Sequence, residues 1–202
     1  GVIRLNPLYV SWMSIMNIFY ISEDPRQAAE WMVDKHVVKM ILESAQLLST
    51  AHRILDGKEI QLQVNVMNED GTFKTRNKKW WVLADGREEV MYAATHINHP
   101  SAIWARTSVE NYNWLVDHFF ALMDEYTYRY GKKHKCSGDL SYMLQSPPKN
   151  LQEYDMTTMP SAMDEKYIIS HDPVVNYMNY YRNGKTHLHK WTKREQPEWI
   201  NV

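Results

Sequence analysis

Residues 24–57 read DPRQAAEWMVDKHVVKMILESAQLLSTAHRILDG, and this stretch decides the fold class. Asp24 is a favourable helix N-cap and Pro25 is favoured at the first helical position, so a helix is expected to begin there. The helical pattern runs to about Ile54, shortly before a glycine. One broad side of the stretch is apolar, as in a helix packed on a core, with residues Trp31, Val38, Met40, Ile41, Ala45, Leu48 and Leu55.

A second long helix is predicted further along the chain. Thr107 and Glu110 have the spacing of a capping box, so a helix is expected to begin there and to end at Gly131. Its apolar side contains Trp114, Leu115, Phe119, Leu122 and Tyr126. Shorter helical stretches are predicted over residues 87–96, 100–106, 139–145 and 173–182.

Residues 58–83 change character and predict a β-hairpin. Apolar residues alternate with polar ones from Ile60 to Val66, which is the period-two signal of a strand. The turn Asn68-Glu69-Asp70-Gly71 follows, and residues 72–83 can form the returning strand. The predicted fold is therefore mainly α, with about five helices, two long ones packed together, and a small hairpin insertion at about 58–83.

Composition limits the function classes. The 202 residues have seven glycines, one cysteine and a formal net charge of −1. Few glycines favour helices over a many-turned sandwich, and a single cysteine excludes an intrachain disulfide framework. No apolar run reaches the length of a membrane span, so we expect no membrane and a cytoplasmic location. No cofactor is predicted, and nucleic-acid binding would need a local basic patch.

The first 15 residues read as an N-terminal extension, interpreted as a tag or upstream sequence. The run MNIFYI then begins at Met16, which we interpret as the native start, and Ile18 to Ile21 predict a buried strand or an extended arm. Residues 16–202 are predicted to form a single helical domain that contains the hairpin.

Cations and aromatic rings concentrate near the C-terminus, where residues 177–191 read YMNYYRNGKTHLHKW. Rings beside cations can hold phosphates and stack bases. A solvated basic tail is the alternative interpretation. Across the chain, the predicted nucleic-acid or phosphate-binding residues are Lys39, Arg106, Asn111, Arg182, Lys185, His187, Lys190 and Trp191.

Candidate catalytic groups are His36, Glu43, His96 and His99. His36, Lys39 and Glu43 recur at helical spacing, so they fall along one stripe of the first long helix. A solvated face with an ordinary Lys-Glu pair would give the same pattern. His96 and His99 flank a helix break at Pro100, where capping and helix packing are an equal alternative. The histidine spacing is a weak metal signal, and no metal is predicted.

Three runs carry a resemblance to known proteins: DKHVVKMILESAQLLSTAHR (34–53), HINHPSAIWARTSVENYNWL (96–115) and DPVVNYMNYYRNGKTHLHKW (172–191). They resemble a family from marine and T4-like bacteriophages that carries no established activity. The resemblance spans most of the chain from Met16 onward. It implies a phage or marine metagenomic origin.

The layout is also similar, more distantly, to that of pyrimidine-dimer DNA glycosylases. The matching features are a charged early helix around His36, the His99-Pro100 element and the turn Tyr128 to Gly131. That family uses an N-terminal amine as nucleophile and a catalytic glutamate. Here Asn17 follows the predicted start, the E-x-R-E-L-P-like stretch of the family has no match, and Glu30 and Glu43 bracket the corresponding region.

Together these observations predict a phage-type accessory protein that binds or acts on DNA or nucleotides. The alternative is a non-enzymatic helical module that binds a protein partner through its aromatic residues. The sequence leaves open whether a reaction is catalysed, and it leaves the oligomeric state open.

Overall fold

The computed structural model describes residues 16–202, so the predicted N-terminal extension, residues 1–15, lies outside the described residues. In chain order the elements are α1 (Pro25–Trp31), α2 (Asp34–Asp56), β1 (Lys58–Met67), β2 (Phe73–Val82), α3 (Arg87–Val90), α4 (Pro100–Ala105), α5 (Val109–Tyr130), α6 (Asp139–Leu144) and α7 (Pro173–Gly184), with 3-10 turns at Glu165–Tyr167, Thr186–Leu188 and Glu198–Asn201.

The prediction of a mainly α fold is confirmed in outline, since 48% of the described residues are helical and the remainder includes an antiparallel hairpin. The predicted number of about five helices is too low, because residues 16–202 contain seven α-helices. The two long helices α2 and α5 pack together as predicted, and α5 also packs on α1. No helix in the described part is long and apolar enough to cross a bilayer.

The first long helix was predicted to run unbroken from residue 24, but it is divided in two. Met32 and Val33 are extended between α1 and α2, and both are buried. Arg129 from α5 donates to the carbonyls of Glu30 (2.9 Å) and Met32 (2.8 Å). The guanidinium of Arg129 therefore replaces the intrahelical donors that these carbonyls would have in a continuous helix, so the helix can break here without leaving them unpaired.

The C-terminal tail crosses the same junction. The indole N–H of Trp191 donates to the carbonyl of Trp31 at 2.8 Å. Thr192 donates from its hydroxyl to Asp34 Oδ2 at 2.6 Å, and Arg194 forms two bonds to Glu125 of α5 at 2.9 and 3.0 Å. The tail therefore closes the turn between α1 and α2 from outside.

Helix α5 begins one residue later than the capping box predicts. The N-cap is Ser108, whose hydroxyl accepts from the N–H of Asn111 at 3.1 Å. The Glu110 carboxylate accepts instead from the N–H of Met156 at 2.8 Å. As predicted, the helix stops at Gly131, whose φ of +71° lies in the left-handed region that favours glycine.

The predicted helix over residues 87–96 is wrong beyond its first turn. Helix α3 ends at Val90, and the chain then runs without helical structure toward His96. The side chain of Arg53 donates to the carbonyls of Met91 (2.8 Å) and Tyr92 (2.6 Å). Because a buried guanidinium takes up these carbonyls, the segment is held away from a helical conformation.

The hairpin prediction is confirmed, with β1 and β2 paired antiparallel from Lys58↔Val82 to Met67↔Phe73. Residues 18–21 form no strand but a buried arm, which turns at Phe19 rather than remaining extended, since the φ of Phe19 is +57°. The arm lies in the main hydrophobic cluster beside α2 and α7 residues.

Candidate functional site

A cavity of about 450 Å³ lies between the start of α4, the loop before α7 and the end of α7. His99 and Pro100 form one wall, and Tyr180 and Gly184 of α7 form another. The loop contributes the residues Ser161, Ala162, Met163, Asp164, Lys166 and Tyr167. The volume is in the range of small-molecule sites.

The buried N-terminal arm, residues 16–21, contacts the wall of this cavity at Ala162. Asn17 Nδ2 donates to the carbonyl of Ala162 at 2.8 Å, and its Oδ1 accepts from the N–H groups of Ile18 and Phe19, both at 2.8 Å. Phe19 has a φ of +57°, a conformation that costs a non-glycine residue about 1–2 kcal/mol. The side chain of Asn17 therefore holds a strained turn of the arm against the cavity wall.

His36 of α2 lies buried against this arm. Its ring stacks on Phe19 with centroids 4.1 Å apart, and Nδ1 is 2.6 Å from the hydroxyl of Tyr181. That hydroxyl also accepts the N–H of Val33 at 3.3 Å, so we assign its proton to the bond with Nδ1. Burial, with help from Lys185, Lys39 and His187, lowers the pKa of His36 to about 3. At neutral pH this histidine is therefore uncharged.

Glu43 lies two helical turns after His36 and is 4% exposed. Within residues 16–202 no hydrogen bond of good geometry reaches either carboxylate oxygen, although the backbone N–H of Asn17 approaches the carboxylate closely enough to lower its pKa. Burial raises its pKa to about 7, while Lys39 and the backbone N–H of Asn17 face it and act in the opposite direction. A carboxyl with a pKa near neutrality can both give and take a proton at physiological pH.

Cationic groups gather on the open side of the same region. The ammonium of Lys185 is 5.0 Å from the centre of the Tyr180 ring and 5.8 Å from that of Phe19. Lys39 is exposed on α2 between His36 and Glu43, and His187 is exposed in the turn after α7. These positively charged side chains lie around His36 and Phe19 and can attract an anionic ligand.

The structure therefore brings six of the predicted residues into one region: His36, Lys39, Glu43, His99, Lys185 and His187. His99 lines the cavity and also caps α4, because its Nδ1 accepts from the N–H of Ser101 at 3.0 Å. Both alternatives for His99, a site residue and a capping residue, fit this position.

The other predicted residues lie outside the cavity lining, and most hold backbone carbonyls. Arg106 donates to Ile97 (2.7 Å), Asn111 to Trp104 (2.9 Å), Arg182 to Trp199 (3.2 Å) and Trp191 to Trp31 (2.8 Å). The backbone carbonyl of Lys190 accepts a hydrogen bond from the backbone N–H of Asp34. The ring nitrogen Nδ1 of His96 lies 2.9 Å from the hydroxyl of Thr95. Lys190 makes its contact through the backbone and its side chain is exposed, whereas each of the other side chains makes at least one contact within the fold.

Sequence reasoning missed Asn17, Tyr181 and the loop 161–167 as parts of the site. The sequence signal that could have found Asn17 is a polar residue in an otherwise apolar segment. Its contact with Ala162, 145 positions away, is visible only in the structure. Among the described residues, no group of three or more His, Cys, Asp or Glu side chains is placed to hold a metal ion.

Comparisons with models of protein families, with curated proteins and with solved structures find no match to this chain. The chemistry of the site must therefore be inferred from its own residues.

Proposed function

We propose that this chain is a phage-type accessory protein that binds DNA or a nucleotide at the cavity and acts on it beside Asn17, with Glu43 as the proton-transferring group. The observation that carries the proposal is the Glu43 carboxyl, which is buried with no hydrogen bond of good geometry in residues 16–202, is approached by the backbone nitrogen of Asn17 and has a pKa near 7. A buried carboxyl with so little compensation is costly for a fold, so its presence supports a chemical role.

The walls of the cavity suit a flat, anionic ligand. The rings of Tyr167 and Tyr180 lie with centroids 4.8 Å apart. The ammonium groups of Lys166 and Lys185 lie over these rings, at 5.1 and 5.0 Å. Aromatic faces stack bases and nearby cations neutralise phosphates, so a nucleotide is the ligand class that these walls favour.

Glu43 does not line the cavity, because Asn17 stands between them. The side chain of Asn17 contacts the cavity wall, and its backbone nitrogen faces Glu43. In the pyrimidine-dimer DNA glycosylases that the layout resembles, an N-terminal amine works beside a glutamate. A form of the chain beginning at Asn17 would place an α-amino group next to Glu43, and this adjacency supports a related chemistry.

A trapping experiment tests that chemistry. Protein released from a cleavable tag so that it begins at Asn17 is mixed with duplex DNA that contains an abasic aldehyde and with borohydride. The amine condenses with the aldehyde, water leaves, and hydride reduces the imine to a stable cross-link. We expect cross-links with this form and not with a form beginning at Met16, and a strong reduction in Glu43→Gln. Equal yields from all three proteins would refute the proposal.

Ligand binding gives a second, independent prediction. Lys185→Glu is expected to weaken binding of labelled nucleoside 5′-monophosphates by about tenfold or more, because one favourable charge becomes repulsive at the cavity rim. Fluorescence anisotropy measures the change, and Lys133→Glu, an exposed site after α5, is the matched control. Equal affinities of the two variants would argue against nucleotide binding here.

The alternative function, a module that binds a protein partner, is favoured by exposed aromatic residues. Tyr142 and Tyr154 are both largely exposed. A salt titration separates the functions, because binding to nucleic acid weakens steeply with salt and binding through aromatic residues does not.

A further inference from the structure

The β-hairpin extends beyond what the protein core needs. Each strand has ten residues, a length of about 33 Å in extended backbone. From Phe73 to Lys79 every residue of β2 is exposed. Only its base is fixed to the helices, where Trp80 Nε1 donates to Glu88 at 2.9 Å and the carbonyl of Trp81 accepts from Arg53 at 2.8 Å. The hairpin therefore projects from an anchored base. We call this hairpin the arm, as distinct from the N-terminal arm of residues 16–21.

The strand register gives the arm two different faces. Residues directly opposite each other share a face, so one face carries the pairs Lys58↔Val82 at the base and then Ile60↔Trp80, Leu62↔Lys78, Val64↔Arg76 and Val66↔Lys74. We call this the basic face. Its central part alternates aliphatic residues with cations and contains no acidic residue. The other face carries the pairs Glu59↔Trp81, Gln61↔Lys79, Gln63↔Asn77, Asn65↔Thr75 and Met67↔Phe73.

Lys58 lies at the anchored base of the basic face, and the three cations further out are exposed, although the ammonium of Lys78 also lies 5.5 Å from the centre of the Trp80 ring. Within residues 16–202, none of Lys74, Arg76 and Lys78 forms an ion pair, whereas Lys79 on the other face lies 3.5 Å from Glu59. Alternate residues of a strand are about 7 Å apart. This spacing is close to the axial rise of two successive phosphates on one DNA strand, about 3.4 Å each.

The shape of the arm selects the class of partner. A two-stranded ribbon fits the major groove of B-DNA, which is about 12 Å wide. At the tip, Met67 and Phe73 are paired and are 64% and 69% exposed. Apolar side chains at such a position can contact thymine methyl groups or sugars. Because the net charge of the protein is −1, attraction to DNA requires a local patch of this kind.

We propose that the hairpin is a DNA-binding arm whose basic face contacts the phosphates of double-stranded DNA while the ribbon lies along the major groove. The choice of DNA as the partner rests on the proposed function, although the arm is separate from the cavity. The helix between Glu43 and Asp56 spans about 20 Å, so one duplex of ordinary length can reach both regions.

The test compares two triple variants with the same change in charge. Lys74→Gln/Arg76→Gln/Lys78→Gln removes the three outer cations of the basic face and leaves Lys58 at its base, and Lys132→Gln/Lys133→Gln/Lys135→Gln is the matched control on an exposed loop. Binding of a labelled 20-base-pair duplex is measured by anisotropy between about 50 and about 200 mM salt. We expect the arm variant to lose at least tenfold in affinity at low salt and its log-log salt slope to decrease by about 3, one for each phosphate contact. The control should retain the wild-type slope.

An unchanged slope and affinity in the arm variant would overturn the proposal. So would equal, arm-dependent binding to phosphatidylserine vesicles, which would identify a general anionic surface as the partner. The nucleotide titration with Lys185→Glu distinguishes failure of the arm from failure of the cavity. Arm-dependent duplex binding without nucleotide binding sinks only the cavity proposal, and the reverse result sinks only the arm.

Discussion

Replacing Glu43 by Gln is expected to stabilise the protein at pH 8 by about 3 kcal/mol and to leave its stability at pH 4 nearly unchanged. The folded-state pKa is raised from 4.5 to about 7, so the folded state keeps a proton that the unfolded state loses between these values. The contribution of Glu43 to stability therefore falls as the pH rises from about 4.5 to about 7, by about 1.4 kcal/mol for each unit of pH. Glutamine is neutral throughout and avoids this loss.

Urea unfolding of both proteins at pH 4, 6 and 8 measures this difference. The exposed Glu195→Gln is the matched control and should change the free energy of unfolding by less than about 0.5 kcal/mol at each pH. If the difference between Glu43→Gln and the wild type is constant with pH, Glu43 titrates normally and the case for its role in proton transfer is lost.

Replacing Arg53 by Met is expected to destabilise the protein by about 3–5 kcal/mol, because it removes one partner of a buried ion pair. Arg53 is 1% exposed, and its Nη1 is 2.6 Å from the Glu88 carboxylate. The same guanidinium donates to four backbone carbonyls, those of Trp81, Glu88, Met91 and Tyr92. Methionine fills much of the volume but leaves these acceptors without a donor.

Chemical denaturation measures this loss, and hydrogen exchange locates it. We expect the amides at the base of the hairpin to lose protection first, because Arg53 also lies 4.9 Å from the ring of Trp80. Arg26→Met is the control, since Arg26 is exposed and its ion pair with Asp124 is worth less than about 1 kcal/mol. Equal stability changes in the two variants would show that the buried network contributes nothing special.

Elements with local signals are predictable from the sequence. The hairpin follows from alternation and a turn, and α5 follows from its apolar side and Gly131. The break between α1 and α2 is not predictable in this way, because its cause is Arg129, almost a hundred residues further on. The end of α3 has a similar long-range cause in Arg53. Sequence patterns report propensity, whereas these breaks depend on carbonyls taken by distant donors.

The candidate site likewise contains residues that the sequence pattern groups together and residues that only the fold brings near them. His36, Lys39 and Glu43 fall together because helical spacing alone places them on one stripe. The partners that define their chemistry, Asn17 and Tyr181, come from the N-terminal arm and from α7. Arg182 and Trp191 have the composition of a phosphate-binding surface, but the indole N–H of Trp191 and one N–H group of Arg182 donate to backbone carbonyls. Only the tertiary structure distinguishes residues that lie at the candidate site from residues of the same types that donate to backbone carbonyls elsewhere.

The crossing of the α1–α2 junction by the C-terminal tail has a consequence for synthesis on the ribosome. The bonds from Trp191 to Trp31 and from Thr192 to Asp34 join residues about 160 positions apart. The nascent chain therefore cannot form these bonds until Trp191 and Thr192 have left the exit tunnel. Until then Met32 and Val33 lack the cover of the tail, and a truncated translation product exposes an apolar corner that chaperones and proteases can recognise.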